Sequence, residues 1–160
     1  MQITEEQIKW VDEFIEKNKP HWKRRFFSNF EATRMGMIAE VVIRDLLKLP
    51  RPKVFADDYD GGYDLKIGEV KYDVKNTGTD KGVVLISKRQ LENGNETDAY
   101  IFTRTNNNEL TILGTIYRNQ VESTGQLILK GNRYREITVK TDDYIIDEDN
   151  LKPFGNYGGI

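Results

Sequence analysis

Asp64, Asp73 and Lys75 are the residues of this chain whose types and spacing could do chemistry together. They lie in the stretch from Gly61 to Lys75, whose residues split by parity. Tyr63, Leu65 and Ile67 alternate with Asp64 and Lys66, and Val70, Tyr72 and Val74 alternate with Lys71, Asp73 and Lys75. A period of two marks half-buried strands. Between the runs stands Gly68-Glu69, and glycine at the first central position is what a type II′ hairpin turn requires. Pairing Ile67 with Val70 and counting back sets Asp64 opposite Asp73. One face of the hairpin is then apolar. The other carries Asp64, Asp73 and Lys75 at its far end, with Lys66 and Lys71 near the turn as bystanders or phosphate contacts.

Carboxylates directly opposite each other have Cβ atoms roughly 4.5–5.5 Å apart, and like charges there are destabilising. Such a pair calls for something positive between its members. Lys75, on the same face, is one candidate. A divalent cation is the other, since Mg²⁺ is commonly held by one or two carboxylates together with substrate phosphate oxygens. The plainer reading is a solvated hairpin face whose charges keep the sheet soluble.

The elements that must position these residues follow from periodicity. Thr4-Glu5-Glu6-Gln7 has capping-box form and opens a helix carrying Ile8, Val11 and Ile15, which should end before Pro20. The segment from Lys17 to Phe27 is basic and aromatic. Its Lys23, Arg24 and Arg25 are candidate phosphate contacts, against a plainer reading as a connection with Trp22, Phe26 and Phe27 buried. A second helix is expected from about Phe30 to Leu47, with Met35, Ile38, Ala39, Val42, Ile43 and Leu46 as its apolar stripe. Glu40 interrupts that stripe. Arg44 is its simplest partner, at the i,i+4 spacing of an exposed salt bridge, and Gly36 leaves room on the same face for another element to approach.

Beyond Lys75, Val83–Ile86 reads as a short apolar segment and Ser87–Leu91 as the opening of a short helix. Ala99–Thr103 and Leu110–Ile116 read as strands, Ile137–Val139 and Tyr144–Ile146 as less certain ones. The order is mixed α/β in one domain spanning 1–160. Residues 1–29 form an N-terminal helix and basic-aromatic connection, 30–116 a core, 117–154 C-terminal strands and 155–160 a tail.

Composition narrows the function classes. Of the 160 residues, 38% are hydrophobic and 31% charged, as in an ordinary globular domain. No apolar run approaches the roughly 18–20 residues of a membrane span, and the acidic N-terminus is unlike a signal peptide. With no cysteine, disulfides and thiolate zinc sites are excluded, which fits a reducing, cytoplasmic setting. A single histidine, His21, leaves histidine-dependent triads one poor candidate. The net charge of −2 leaves nucleic-acid binding to local charge distribution.

Glu40 on a helix, Tyr63-Asp64 on one strand and Asp73-Val74-Lys75 on the next resemble the PD-(D/E)XK nuclease superfamily. Ser87–Leu91 resembles the helix that follows its core strands, and the order over roughly 30–116 resembles its αβββαβ core. Tyr63 stands where the motif has proline. The resemblance implies a restriction-endonuclease-like fold, a central mixed β-sheet flanked by helices. It implies a metal-dependent nuclease hydrolysing phosphodiester bonds to a 5′-phosphate and a 3′-hydroxyl, with DNA favoured over RNA. Asp64, Asp73 and the Val74 carbonyl would ligate Mg²⁺ or Mn²⁺, Glu40 would complete the shell, and Lys75 would orient or deprotonate the attacking water. Gln90 would contact substrate or an outer water, unless it is simply a helix-surface residue. Cutting both strands of a duplex needs two sites, so a homodimer is a further expectation. The alternative is a catalytically inactive nuclease-like module that binds nucleic acid or a protein partner, which the net negative charge favours.

Overall fold

The computed structural model describes residues 1–19, 30–53, 63–78, 80–93 and 96–155. Helix α1 (Glu5–Asn18) begins with the expected capping box. The Gln7 amide donates to Thr4 Oγ1 and the Thr4 amide to Gln7 Oε1. Helix α2 (Phe30–Leu46) buries every residue from Met37 to Ile43, Glu40 included. Leu46, expected in its apolar stripe, is instead exposed near the helix end. Arg34 bonds Asp12, and Arg51 bonds both Glu6 and Asp45, tying α2 and the chain after it to α1.

The hairpin forms in the expected register. Strands β1 (Leu65–Ile67) and β2 (Val70–Thr77) pair Ile67 with Val70, Lys66 with Lys71 and Leu65 with Tyr72. Gly68 takes φ +60 at the turn, a conformation cheap only for glycine. The ladder stops at Leu65, however. The Asp64 amide donates to the Tyr72 carbonyl, so the chain bends there, and Tyr63 does not continue the apolar face. Its half-buried ring instead lies 5.0 Å from Lys71 Nζ.

Strand β4 (Ala99–Asn106) runs parallel to β2, and β5 (Glu109–Tyr117) antiparallel to β4, giving a four-stranded mixed sheet in the order β1-β2-β4-β5. Strand β3 (Val83–Ser87) departs from the αβββαβ expectation. It is absent from the central sheet, in which β1 and β4 flank β2. It pairs instead with β9 (Asp143–Asp147), beside β6 (Gln126–Ile128), in a separate three-stranded sheet. The β3 segment and the five-residue helix α3 (Lys88–Glu92) form the crossover between the parallel strands. A two-stranded ribbon, β7 (Arg133–Tyr134) and β8 (Ile137–Thr138), and the short helix α4 (Val121–Thr124) complete the C-terminal part.

Alternating side chains of the central sheet feed two cores. Leu65, Tyr72, Val74, Ile101 and Leu110 pack with α1 and α2. Tyr100, Phe102 and Ile116, from the other face, pack with Val84, Ile86 and Ile146 of the second sheet. The central sheet is thus mixed and flanked by helices. None of the helices among the described residues is long and apolar enough to cross a membrane.

Candidate active site

Asp73 lies on β2 between Tyr72 and Val74, whose side chains enter the α1–α2 core, so by strand alternation its own side chain projects from the opposite face. It is 8% exposed. Its Oδ2 accepts from Gln90 Nε2 at 2.5 Å and lies 2.7 Å from Lys75 Nζ. Gln90 is delivered by α3, one turn after the β3 strand ends. The bend at Asp64 turns that carboxyl inward, where Oδ2 accepts from the Val74 amide at 2.6 Å. The Asp64 and Asp73 carboxyls come within hydrogen-bonding reach of each other. Burial, then the charges of Asp73 and Glu40, push the Asp64 carboxyl well above the ordinary aspartate range, and the Val74 amide opposes this only in part.

Glu40 reaches the site from α2 with one carboxylate oxygen already engaged. Its Oε1 accepts from Arg44 Nε at 2.7 Å, with Glu40 buried and Arg44 half-buried, where the spacing suggested an exposed pair. The same guanidinium donates to the Pro50 carbonyl and to the Asp64 carbonyl. Arg44 therefore ties the Glu40 side chain to the backbone that presents Asp64. Burial raises the Glu40 carboxyl above its usual range, Arg44 pulls it down and Asp73 adds a smaller upward push. Among the described residues nothing approaches within 4 Å of where a Gly36 Cβ would stand, so no element uses the room expected there.

Lys66 pairs with Glu69 at 3.1 Å and Lys71 with Glu96, both toward the turn and away from the carboxylates. Lys23, Arg24 and Arg25 lie outside the described residues. Sequence reasoning passed over Tyr100, which is in register with Asp73 on the adjacent strand. Its phenol is pushed up to about 12 by burial and by Asp73. A groove of about 700 Å³ opens beside the site, lined by Leu91, Glu96, Asp98, Tyr117, Arg118 and Glu122 among others. The carboxylate pair does not line it. With three acids against one arginine it is poorly suited to a phosphate backbone.

Two carboxyls in contact at a site largely shielded from water stay ionised together only when a cation offsets them; otherwise one takes up a proton. That donor set, hard oxygens on two short side chains, fits Mg²⁺ or Mn²⁺. The fit is to two carboxylates and not three. Among the described residues no group of three or more histidine, cysteine, aspartate or glutamate side chains is placed to hold a metal ion, in keeping with Glu40 being engaged by Arg44. Comparison with protein-family models, with curated proteins and with solved structures gives no match.

Proposed function

We propose that this chain is a metal-dependent nuclease, hydrolysing phosphodiester bonds most readily in DNA, built on a restriction-endonuclease-like core. The observation that carries this is the Asp64–Asp73 contact with Lys75 Nζ 2.7 Å from Asp73 Oδ2. Asp64 and Asp73 would hold Mg²⁺ or Mn²⁺, with the Val74 carbonyl beside them. Such an ion, when bound, acidifies water and offsets charge developing on a transferring phosphoryl group. Gln90 holds Asp73 in place from α3. Lys75, 2.7 Å from Asp73 Oδ2, would hold the attacking water or a phosphate oxygen. Glu40 and Arg44 fix the backbone at Asp64. The cysteine-free composition suits a cytoplasmic setting.

The test is cleavage of linear, circular, branched and single-stranded DNA in Mg²⁺ and in Mn²⁺, comparing the native protein with Asp73→Ala and Lys75→Ala. Each substitution is expected to reduce cleavage by about 100-fold or more. Unchanged cleavage in both overturns the assignment. A second reading, a nuclease-like module that binds without cutting, is favoured by the occupied Glu40 carboxylate. It predicts no cleavage and no divalent-ion binding by calorimetry at millimolar concentration.

A further inference from the structure

Among the described residues one buried side-chain polar atom lacks a hydrogen-bond partner: the Tyr100 hydroxyl. Tyr100 is wholly buried, with its ring against Phe102 in the core between the two sheets. Phenylalanine would fill the same space without a polar atom, and buried polar groups are almost always satisfied. The place of the residue suggests what satisfies it. Tyr100 is in register with Asp73 in the parallel β2–β4 ladder, so both side chains leave the sheet on the same face. Ile116 flanks it on the other side, and Arg118, two residues further on, donates to the Leu91 carbonyl. Asp73 and Arg118 are the charged groups that act on the phenol. A carboxylate acceptor and an orphan hydroxyl on the same face supply the two polar partners that are the least a buried water requires. Arg118 also lines the groove beside the site.

We propose that Tyr100 is a positioning residue of the carboxylate site, donating through one bridging water to Asp73 and so fixing the angle at which Asp73 meets a divalent cation. This rests on the metal-site reading above. Gln90 and Lys75 both contact Oδ2 of Asp73, and a carboxylate gripped by one oxygen still pivots about it. A further donor removes that freedom. Outer partners of metal-binding carboxylates are commonly worth roughly 10–100-fold in affinity.

The experiment is calorimetric titration of MnCl₂ into the native protein, Tyr100→Phe and Asp73→Asn, with thermal unfolding of each in EDTA. Tyr100→Phe keeps the ring and the packing, so its melting temperature should match or exceed the native one while Mn²⁺ binds about 10-fold more weakly. Native-like Mn²⁺ affinity in Tyr100→Phe overturns the proposal while leaving the metal site standing, provided Asp73→Asn abolishes binding. Weaker binding accompanied by a melting temperature several degrees lower assigns Tyr100 to the core and also overturns it. No Mn²⁺ binding by the native protein overturns the metal-site reading itself, and this inference with it.

Discussion

Replacing Arg44 by methionine tests whether Glu40 belongs to the architecture or is available to a cation. Methionine keeps most of the apolar stem and removes the guanidinium. The side chains of Arg44 and Glu40 are 16% and 7% exposed, and the pair is joined at 2.7 Å. Removing one partner of a buried ion pair costs about 3–5 kcal/mol, because the other charge is left uncompensated. Arg44 also gives up donors to the Pro50 and Asp64 carbonyls. Against this, burial already favours the protonated form of Glu40, so without Arg44 that carboxyl takes up a proton and limits the loss. About 3 kcal/mol near neutral pH is therefore expected, or a melting temperature lower by roughly 6–12 °C for a domain of this size. The loss should shrink as pH falls and Glu40 protonates. Urea unfolding of Arg44→Met, Glu40→Gln and the double variant closes the cycle. A coupling of about 1–3 kcal/mol is expected, with the double variant more stable than Arg44→Met. If Arg44→Met costs under about 0.5 kcal/mol, or the coupling is absent, Glu40 is not held by Arg44 and its carboxylate is free to serve a metal.

Further expectations follow from single features. Folded protein binds more protons at Asp64 and Glu40 than unfolded chain does, because both carboxyls are raised. Stability of the metal-free protein should therefore decline as pH rises from the ordinary carboxylate range through the raised values. Asp64→Asn should flatten that decline and melt higher at neutral pH in EDTA; a lower melting temperature would contradict the buried repulsion. Titrating MgCl₂ into unbuffered protein should release protons from the native site and fewer from Asp64→Asn, read directly by a pH electrode. Thr4→Ala removes the cap of α1 and should cost about 1 kcal/mol in urea unfolding. Gly114→Ala places a Cβ 2.7 Å from both the Leu151 Cβ and the Lys152 carbonyl oxygen, at φ +147. It should cost about 2 kcal/mol or more in the same assay.

The hairpin was legible because its signals are local. Parity, the Gly68 turn and the Ile67–Val70 pair need no knowledge of the rest of the chain, and the same holds for the capping box at Thr4. What was not legible depends on contacts far along the sequence. Whether Val83–Ser87 joins β2 is decided by β4 having taken the free edge, with its first strand residue at Ala99. Strand β6 has three residues and no alternation to betray it. At the site, the spacing of Glu40 and Arg44 predicted their pairing but not their burial, nor the reach of Arg44 to the carbonyl of Asp64. The bend that takes Tyr63 off the apolar face goes with the Asp64 amide bonding the Tyr72 carbonyl, which parity cannot see.

The charges of the site make sense together in a way that no single residue does. Asp64, Asp73 and Glu40 supply three acids, while Lys75 and Arg44 supply two cations, each bonded to one of the acids. One negative charge is left over, and it falls on Asp64, the carboxyl whose side chain is met by a backbone amide and not by a cation. Its strong preference for a proton is the metal-free solution to that imbalance. A divalent cation exchanged for the proton would leave the site with one positive charge in excess. That is the charge a phosphodiester carries with opposite sign. Surface charge that merely keeps a hairpin soluble does not account for three acids drawn together, two of them buried, with only two counter-charges. The proposed role, receiving a doubly charged ion and then a singly charged phosphate, would account for it.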